Sequence, residues 1–214
     1  MISAGHQVKK MIWAIGLFIC TIGPACAEIV APDQLIESTV NEVIAVIKAD
    51  KSIQEGDQQK TLALVDEKVL PHFDFERMTQ LAVGKYWRRA TPAQRQTLAN
   101  EFRNMLVRTY AKVFSVYRDQ VIEVKSLKMY GDDESTVQTI ISKPGTPDIP
   151  VNYELKKKPN GWKVFDIYIE GVSMVISYRG TFSSQIEENG IEGLIKLLSD
   201  KNAASITSSG KAEK

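Results

Sequence analysis

The apolar residues of this chain change their repeat from helical spacing to alternation near Val121, and that change restricts the possible folds more than any other feature of the sequence. Before it they recur at helical spacing. Leu35, Ile36, Thr39, Val40, Val43, Ile44 and Ile47 mark one face, with Glu37, Asn41, Glu42 and Lys48 between them, and Pro32 suits a first helical turn. A second helix is predicted from about residue 57 to 70, burying Leu62, Val65 and Val69 until Pro71 stops it. Asp74 then caps a short helix in which Phe75, Met78, Leu81 and Ala82 share a face and Gly84 ends the run. The strongest helical signal opens on Thr91-Pro92-Ala93-Gln94, an N-cap, a first-turn proline and a capping-box partner. Its apolar stripe is Leu98, Phe102, Met105, Leu106, Thr109, Tyr110, Val113, Phe114 and Tyr117.

From Val121 the period is two. Four strands are predicted, over 121–130, 135–142, 149–157 and 162–170, separated by segments rich in Gly, Pro, Asp and Asn. In the third, Val151, Tyr153 and Leu155 face one way and Asn152, Glu154 and Lys156 the other. A hairpin through Asn160-Gly161 joins the last two. A short apolar element follows at 172–176, and a helical pattern returns over 185–200, interrupted at Gly190, with Ile191, Leu194, Ile195 and Leu198 on its inner face. Helices, then antiparallel strands, then closing helices define an α+β fold: N-terminal helices, a twisted, mainly antiparallel sheet of about four strands, and C-terminal helices.

The N-terminus reads as an export signal. Lys9 and Lys10 precede an apolar run over 11–22, and Ala25-Cys26-Ala27 supplies a small-residue cleavage site, with cutting expected after Ala27. The run is too short to span a bilayer, which takes about 20 residues, and Gly23 stands where a lipoprotein signal ending at Cys26 needs a branched aliphatic residue. Cleavage removes Cys20 and Cys26, so the mature chain has no cysteine and no disulfide. It also removes two of the 27 basic residues and none of the 26 acidic ones, which leaves no basic field for nucleic acid or anionic membrane. The expected organisation is a signal peptide over 1–27, one domain over 28–202 and a disordered tail over 203–214.

The mature chain keeps one histidine, His72. With no cysteine, it lacks the nitrogen and sulfur ligands of an ordinary zinc site, and no serine elbow accompanies His72. Neither a GxGxxG nor a GxxxxGK[ST] phosphate loop is present. Asp166 and Glu170, four apart on a predicted strand, are the remaining catalytic candidates, as the carboxylates of a pocket enzyme acting on a small hydrophobic substrate, although residues so placed more often pair with an arginine or cap the next element. The aromatic residues Tyr86, Trp87, Phe102, Tyr110, Tyr153, Trp162, Phe165 and Tyr168 fit either a packed core or a lined cavity. Arg88 and Arg89, beside Trp87, suit a solvated pair or a phosphate contact at a pocket mouth.

Four blocks carry a resemblance: Phe73-Asp74-Phe75-Glu76-Arg77-Met78; Tyr86-Trp87-Arg88-Arg89-Ala90-Thr91-Pro92-Ala93-Gln94-Arg95; Val107-Arg108-Thr109-Tyr110-Ala111; and Trp162-Lys163-Val164-Phe165-Asp166 leading to Glu170-Gly171-Val172-Ser173. In this order, over 29–202, the chain resembles the MlaC family, also described as toluene-tolerance auxiliary proteins. The resemblance implies a non-enzymatic periplasmic carrier that shuttles phospholipid between outer and inner membranes and maintains outer-membrane asymmetry. It implies a sheet clasped by helices around an apolar pocket, with phospholipid as carried ligand and no other cofactor. The implied partners are an outer-membrane lipoprotein associated with porin and an inner-membrane ABC transporter with a ring-forming lipid-binding subunit; nucleic acid is not among them. On that pattern the tails are expected between Val137, Thr139, Val151, Tyr153 and Ile169 of the sheet and Met78, Leu81, Trp87, Phe102, Met105, Leu106 and Tyr110 of the helices. Val172 and Val175, past the Glu170-Gly171 bend, are expected near the entrance.

Produced with its leader in a Gram-negative host, the protein is expected to accumulate as a chain starting at Glu28. Intact-mass measurement of the exported fraction checks this, and a mass that retains the first residues counts against it.

Overall fold

A computed structural model of the chain describes residues 29–111 and 119–209. The expected signal peptide and the stripe residues Val113, Phe114 and Tyr117 lie outside the described residues. The first helix, α1 (Pro32–Ala49), has no side-chain cap, and Pro32, which has no N–H to leave unsatisfied, fills its first turn. It buries Ile36, Val43 and Ile47. Asp50 ends it and caps α2 (Lys51–Gln54), accepting from Ser52 N at 3.0 Å and from Lys60 Nζ at 2.9 Å. The Lys60 contact, followed by the Ser52 hydroxyl, holds the Asp50 carboxyl down at about 2. Asp57 caps α3 (Gln58–Leu64).

The single helix predicted up to residue 70 is broken up. After α3 the backbone widens into a π turn over Val65–Val69 and tightens into a 3-10 turn over Leu70–His72. Pro71 explains the change, because its ring clashes with the carbonyl four residues back in a regular α-helix. Thr61 and Leu64, not Leu62, face the interior.

Asp74 caps α4 (Phe75–Val83) as predicted, accepting from Arg77 N at 3.0 Å. Gly84 stops it at φ 60° and ψ −127°, a conformation that side-chain-bearing residues rarely adopt, and the Arg179 guanidinium packs against the place a Cβ would occupy. A 3-10 segment, Gly84–Arg89, leads to α5 (Pro92–Tyr110), whose capping box closes in both directions: Thr91 N donates to Gln94 Oε1 at 2.9 Å and Gln94 N to Thr91 Oγ1 at 3.2 Å. Leu98, Ala99, Phe102 and Leu106 are its buried residues. Thr109, placed on the apolar stripe by spacing, is exposed and returns its hydroxyl to Met105 O.

The sheet is an antiparallel meander of β1 (Val121–Tyr130), β2 (Glu134–Ser142), β3 (Ile149–Lys158), β4 (Gly161–Ile169) and β5 (Val172–Ser173), in that spatial order. The fifth strand is the short apolar element after the fourth, joined through Glu170 and Gly171, both at positive φ, as a two-residue hairpin requires. The β3–β4 hairpin closes at Lys158 and Gly161, so its loop residues are Pro159 and Asn160, one position earlier than predicted. Register pairs Val137 with Tyr153, Thr139 with Val151, Tyr153 with Ile167 and Val151 with Ile169, which places all six on one face. Phe165 is an extra residue in β4, since Leu155 pairs with Val164 and Glu154 with Asp166.

The last helix, α6 (Arg179–Ser209), follows a 3-10 turn at Ile176–Tyr178 and kinks at Gly190, where φ is 71°. It begins before the predicted residue 185 and continues past Ala203, where the tail was expected to begin. Buried Asn202 ties it to α5 by donating to Glu101 O at 3.0 Å, and from that anchor each further residue adds a helical hydrogen bond at little cost.

The main core joins α4, α5 and α6 to Phe165 and Val175. A second apolar cluster sits between α1 and the sheet, and a third between α1, α2 and α3. Phe102, fully buried, meets Tyr178 and Phe182 edge-on with ring centroids 5.3 and 5.2 Å away. Replacing Phe102 with Ala is expected to destabilise the fold by about 3 to 5 kcal/mol; urea unfolding measures it, and an unchanged midpoint would contradict this packing.

Candidate functional site

The helix α1 crosses one face of the sheet without closing down on all of it. Ile36 packs with Val137, Leu155, Trp162 and Val164, whereas Thr39, Val40 and Ile44 are only partly covered. Between them and the sheet runs a cleft of about 240 Å³. Its floor is Tyr153, Val164 and Ile167, its roof is the apolar face of α1 from Ile36 to Ile47, and Ile122 and Ile141 line it toward one end of the sheet. That end is apolar at the surface as well: Val121, Ile149, Ile169 and Val172 are exposed there, Val172 to 64%. Exposed apolar side chains gathered at one rim mark a contact or entry region more than chance does.

A second, smaller cleft of about 110 Å³ lies between α4, α5 and the sheet. Phe75 and Met78 come from α4, Leu106, Val107 and Tyr110 from α5, Ile167 and Met174 from the sheet side, and Val65, Val69 and Leu70 from the π and 3-10 turns. The two clefts are neighbours, because Val69, Phe73 and Ile167 belong to the walls of both.

Of the residues expected at the site, Met78, Leu106 and Tyr110 line the smaller cleft and Tyr153 the larger. Thr139 lines a more polar groove on the other side of α1 and donates its hydroxyl to Val151 O at 2.9 Å. Leu81, Trp87, Phe102, Met105 and Val175 belong instead to the packed helical core, and Val137 and Val151 are buried on the sheet face. Ile169 and Val172 lie at the exposed rim. Spacing identifies the inward face of an element; whether that face meets a side chain or a gap depends on what lies opposite. The main omission is α1, which supplies Ile36, Thr39, Val40, Val43, Ile44 and Ile47 to the larger cleft. Its signal was present as an apolar stripe wider than one line of packing contacts needs. Phe73, Val69 and Ile167, which line both clefts, were also not among the expected site residues.

His72 lines the larger cleft and, among the described residues, is the one histidine there, the side-chain type whose ordinary value lies near neutrality. Burial, reinforced by Lys163, holds its imidazole below the usual value, against a weaker opposite pull from Glu42. Burial raises the Tyr153 phenol, which shares a hydrogen bond with the Thr139 hydroxyl. Tyr178, behind Tyr110, is pushed up to about 12, first by burial and then by Tyr110.

Asp166 and Glu170 do not form a catalytic pair. Asp166, 1% exposed, accepts from Ser173 Oγ at 2.5 Å, Ile167 N at 2.8 Å and Val175 N at 3.2 Å, so it pins β4 to the segment after β5. Burial raises its pKa while these three donors oppose the rise. Glu170 sits exposed in the turn, and neither residue lines a cleft. Trp87 is buried with the Arg95 guanidinium over its ring at 5.4 Å, while Arg88 and Arg89 point to solvent, Arg89 near Tyr86. Among the described residues no group of three or more His, Cys, Asp or Glu side chains is placed to hold a metal ion, and no helix is long and apolar enough to cross a membrane.

The chain resembles proteins whose names bear on these clefts. A solved structure of a phospholipid-binding protein from Ralstonia solanacearum, in complex with a phospholipid, superposes with a TM-score of 0.76 at 34% identity, covering 83% of this chain and 99% of that one. The intermembrane phospholipid transport system binding protein MlaC of Haemophilus influenzae is 25% identical over 88% of this chain and 91% of its own length. The toluene tolerance protein ttg2D of Pseudomonas putida is 23% identical over 74% of each. The model of the MlaC protein family matches residues 37–200, and with its α+β architecture of helices around one antiparallel sheet the chain belongs to the MlaC family.

Proposed function

We propose that this chain is a phospholipid carrier, exported to the periplasm and cut after Ala27, that holds acyl tails in the paired apolar clefts and performs no chemistry on them. The observation that carries the reading is the lining: among the described residues, apart from His72, Thr39 and the Tyr hydroxyls, both clefts present only apolar side chains, in a chain 34% identical to a protein solved with a phospholipid bound. Family membership supports the wider role, in which lipid passes between an outer-membrane lipoprotein associated with porin and the ring-forming lipid-binding subunit of an inner-membrane ABC transporter, so that outer-membrane asymmetry is maintained.

The physics requires such a carrier. Burying a methylene contributes about 0.8 kcal/mol, so two chains of about 15 carbons resist bare transfer into water by roughly 20 kcal/mol or more. An apolar lining removes that barrier and needs no tight headgroup contact. The exposed apolar rim formed by Val121, Ile149, Ile169 and Val172 suits the mouth, where lipid and a donor or acceptor protein meet.

Organic extraction of the purified protein followed by lipid mass spectrometry is expected to release phospholipid in stoichiometric amount; protein that folds and carries none sinks the proposal. Ile44→Asp, which puts a carboxylate into the larger cleft from a partly covered helix position, is expected to lose most of that lipid while its circular dichroism is preserved.

Lipid retention is also expected to fall with acidification. Because His72 is held below its ordinary value by burial, the neutral form is the one the fold favours; its contribution is complete above about pH 6.5 and is lost as pH falls through the lowered folded value. Lipid release followed from pH 7.5 to 5 should be shallower in His72→Phe than in the unaltered protein, and identical profiles would show that this side chain does not report on the cleft.

A further inference from the structure

The wall shared by the two clefts is narrow and firmly held. Apart from Val69, Phe73 and Ile167 their linings have no residue in common. Phe73 belongs to the margin of both apolar clusters, the helical one and the one under α1. Its backbone is fixed on the sheet: Phe73 forms a bridge with Val164, and Asp74 N donates to Val164 O at 2.9 Å. Its ring stacks on Phe75 with centroids 5.7 Å apart and planes 18° from parallel. A side chain fixed by strand pairing on one side and ring stacking on the other is a standing partition, unlike one carried on a free loop.

Size points the same way. At about 240 and 110 Å³, each cleft falls below the roughly 300 Å³ at which pockets for compact ligands begin. Neither has room for two acyl tails side by side, and each lining meets a segment of one.

From this arrangement, and resting on the carrier reading above, we infer that Val69, Phe73 and Ile167 form a septum that seats the two tails of one lipid in separate clefts, one under α1 and one against α5. The site thereby selects amphiphiles whose two chains diverge from a common head. A single-chain lipid needs either cleft alone; a two-chain lipid needs both.

The test blocks one cleft at a time. Ile44→Trp fills only the larger cleft and Val107→Trp only the smaller, and both positions are partly exposed, which leaves room for the fold to accept the ring. Each variant is equilibrated with vesicles of dioleoyl phosphatidylethanolamine and, separately, with oleoyl lysophosphatidylethanolamine, and bound lipid is counted by native mass spectrometry. Each variant is expected to lose diacyl lipid by at least about tenfold while keeping the single-chain lipid within about twofold of the unaltered protein. The doubly substituted protein should lose both. Where thermal melting shows that a tryptophan disturbs the fold, Ile44→Phe and Val107→Phe take its place. Diacyl binding that survives either block, or parallel loss of both lipids from one block, overturns the septum. Failure of the unaltered protein to bind either lipid would instead remove the carrier reading itself.

Discussion

One extra residue in β4 lets a single strand serve two apolar cores, and the rest of the site depends on it. Strict alternation would send Val164 and Phe165 to opposite faces and continue in that phase to the strand end. The bulge at Phe165 resets the phase, so Val164 and Ile167 both stay with Tyr153 and Leu155 beneath α1 while Phe165 joins the helical core of α4, α5 and α6. With Phe73 hydrogen-bonded alongside Val164, the two cores come into contact at one place. The clefts meet there as well, and this is why they are neighbours instead of being separated by the thickness of the sheet.

Polar groups are used to hold the frame around these clefts and are kept out of the clefts themselves. Asp166 spends its lone pairs on Ser173, Ile167 and Val175, fixing the turn that carries Val172 to the rim. Asp74 caps α4 and meets Lys158 Nζ at 2.6 Å, joining that helix to β3. Thr139 returns its hydroxyl to the sheet backbone. A chain that must accept and release a greasy ligand benefits from this division, because every buried polar group without a partner costs free energy and would also repel a tail. Beside Thr39 and the Tyr110 and Tyr153 hydroxyls, His72 is the ionisable exception among the described residues, an imidazole at the wall of the larger cleft whose pKa burial lowers.

Much of the frame was legible from local chemistry. Pro32, Asp57, Asp74 and the Thr91–Gln94 capping box mark helix starts because they satisfy, or do not need, the orphaned N–H groups of a first turn, and all four stand where the sequence puts them. The face shared by Val137, Thr139, Val151, Tyr153 and Ile169 follows from alternation once the hairpins are in register. Less legible were features in which a distant residue or a backbone irregularity decides: the π turn ahead of Pro71, the bulge at Phe165, and the extension of α6 that Asn202 anchors on Glu101.

The sequence by itself determined the order of helices and strands, the residues that must leave water, and the family whose blocks recur in it, since each of these depends on spacing along the chain. Only the tertiary structure decided which of those residues pack and which leave a gap. Phe102 and Tyr153 are alike as sequence, each an aromatic on an inward face, yet one is enclosed by Tyr178 and Phe182 and the other floors an open cleft under α1. The difference lies in how closely the opposing element approaches, a distance set by contacts many residues away that no periodicity encodes.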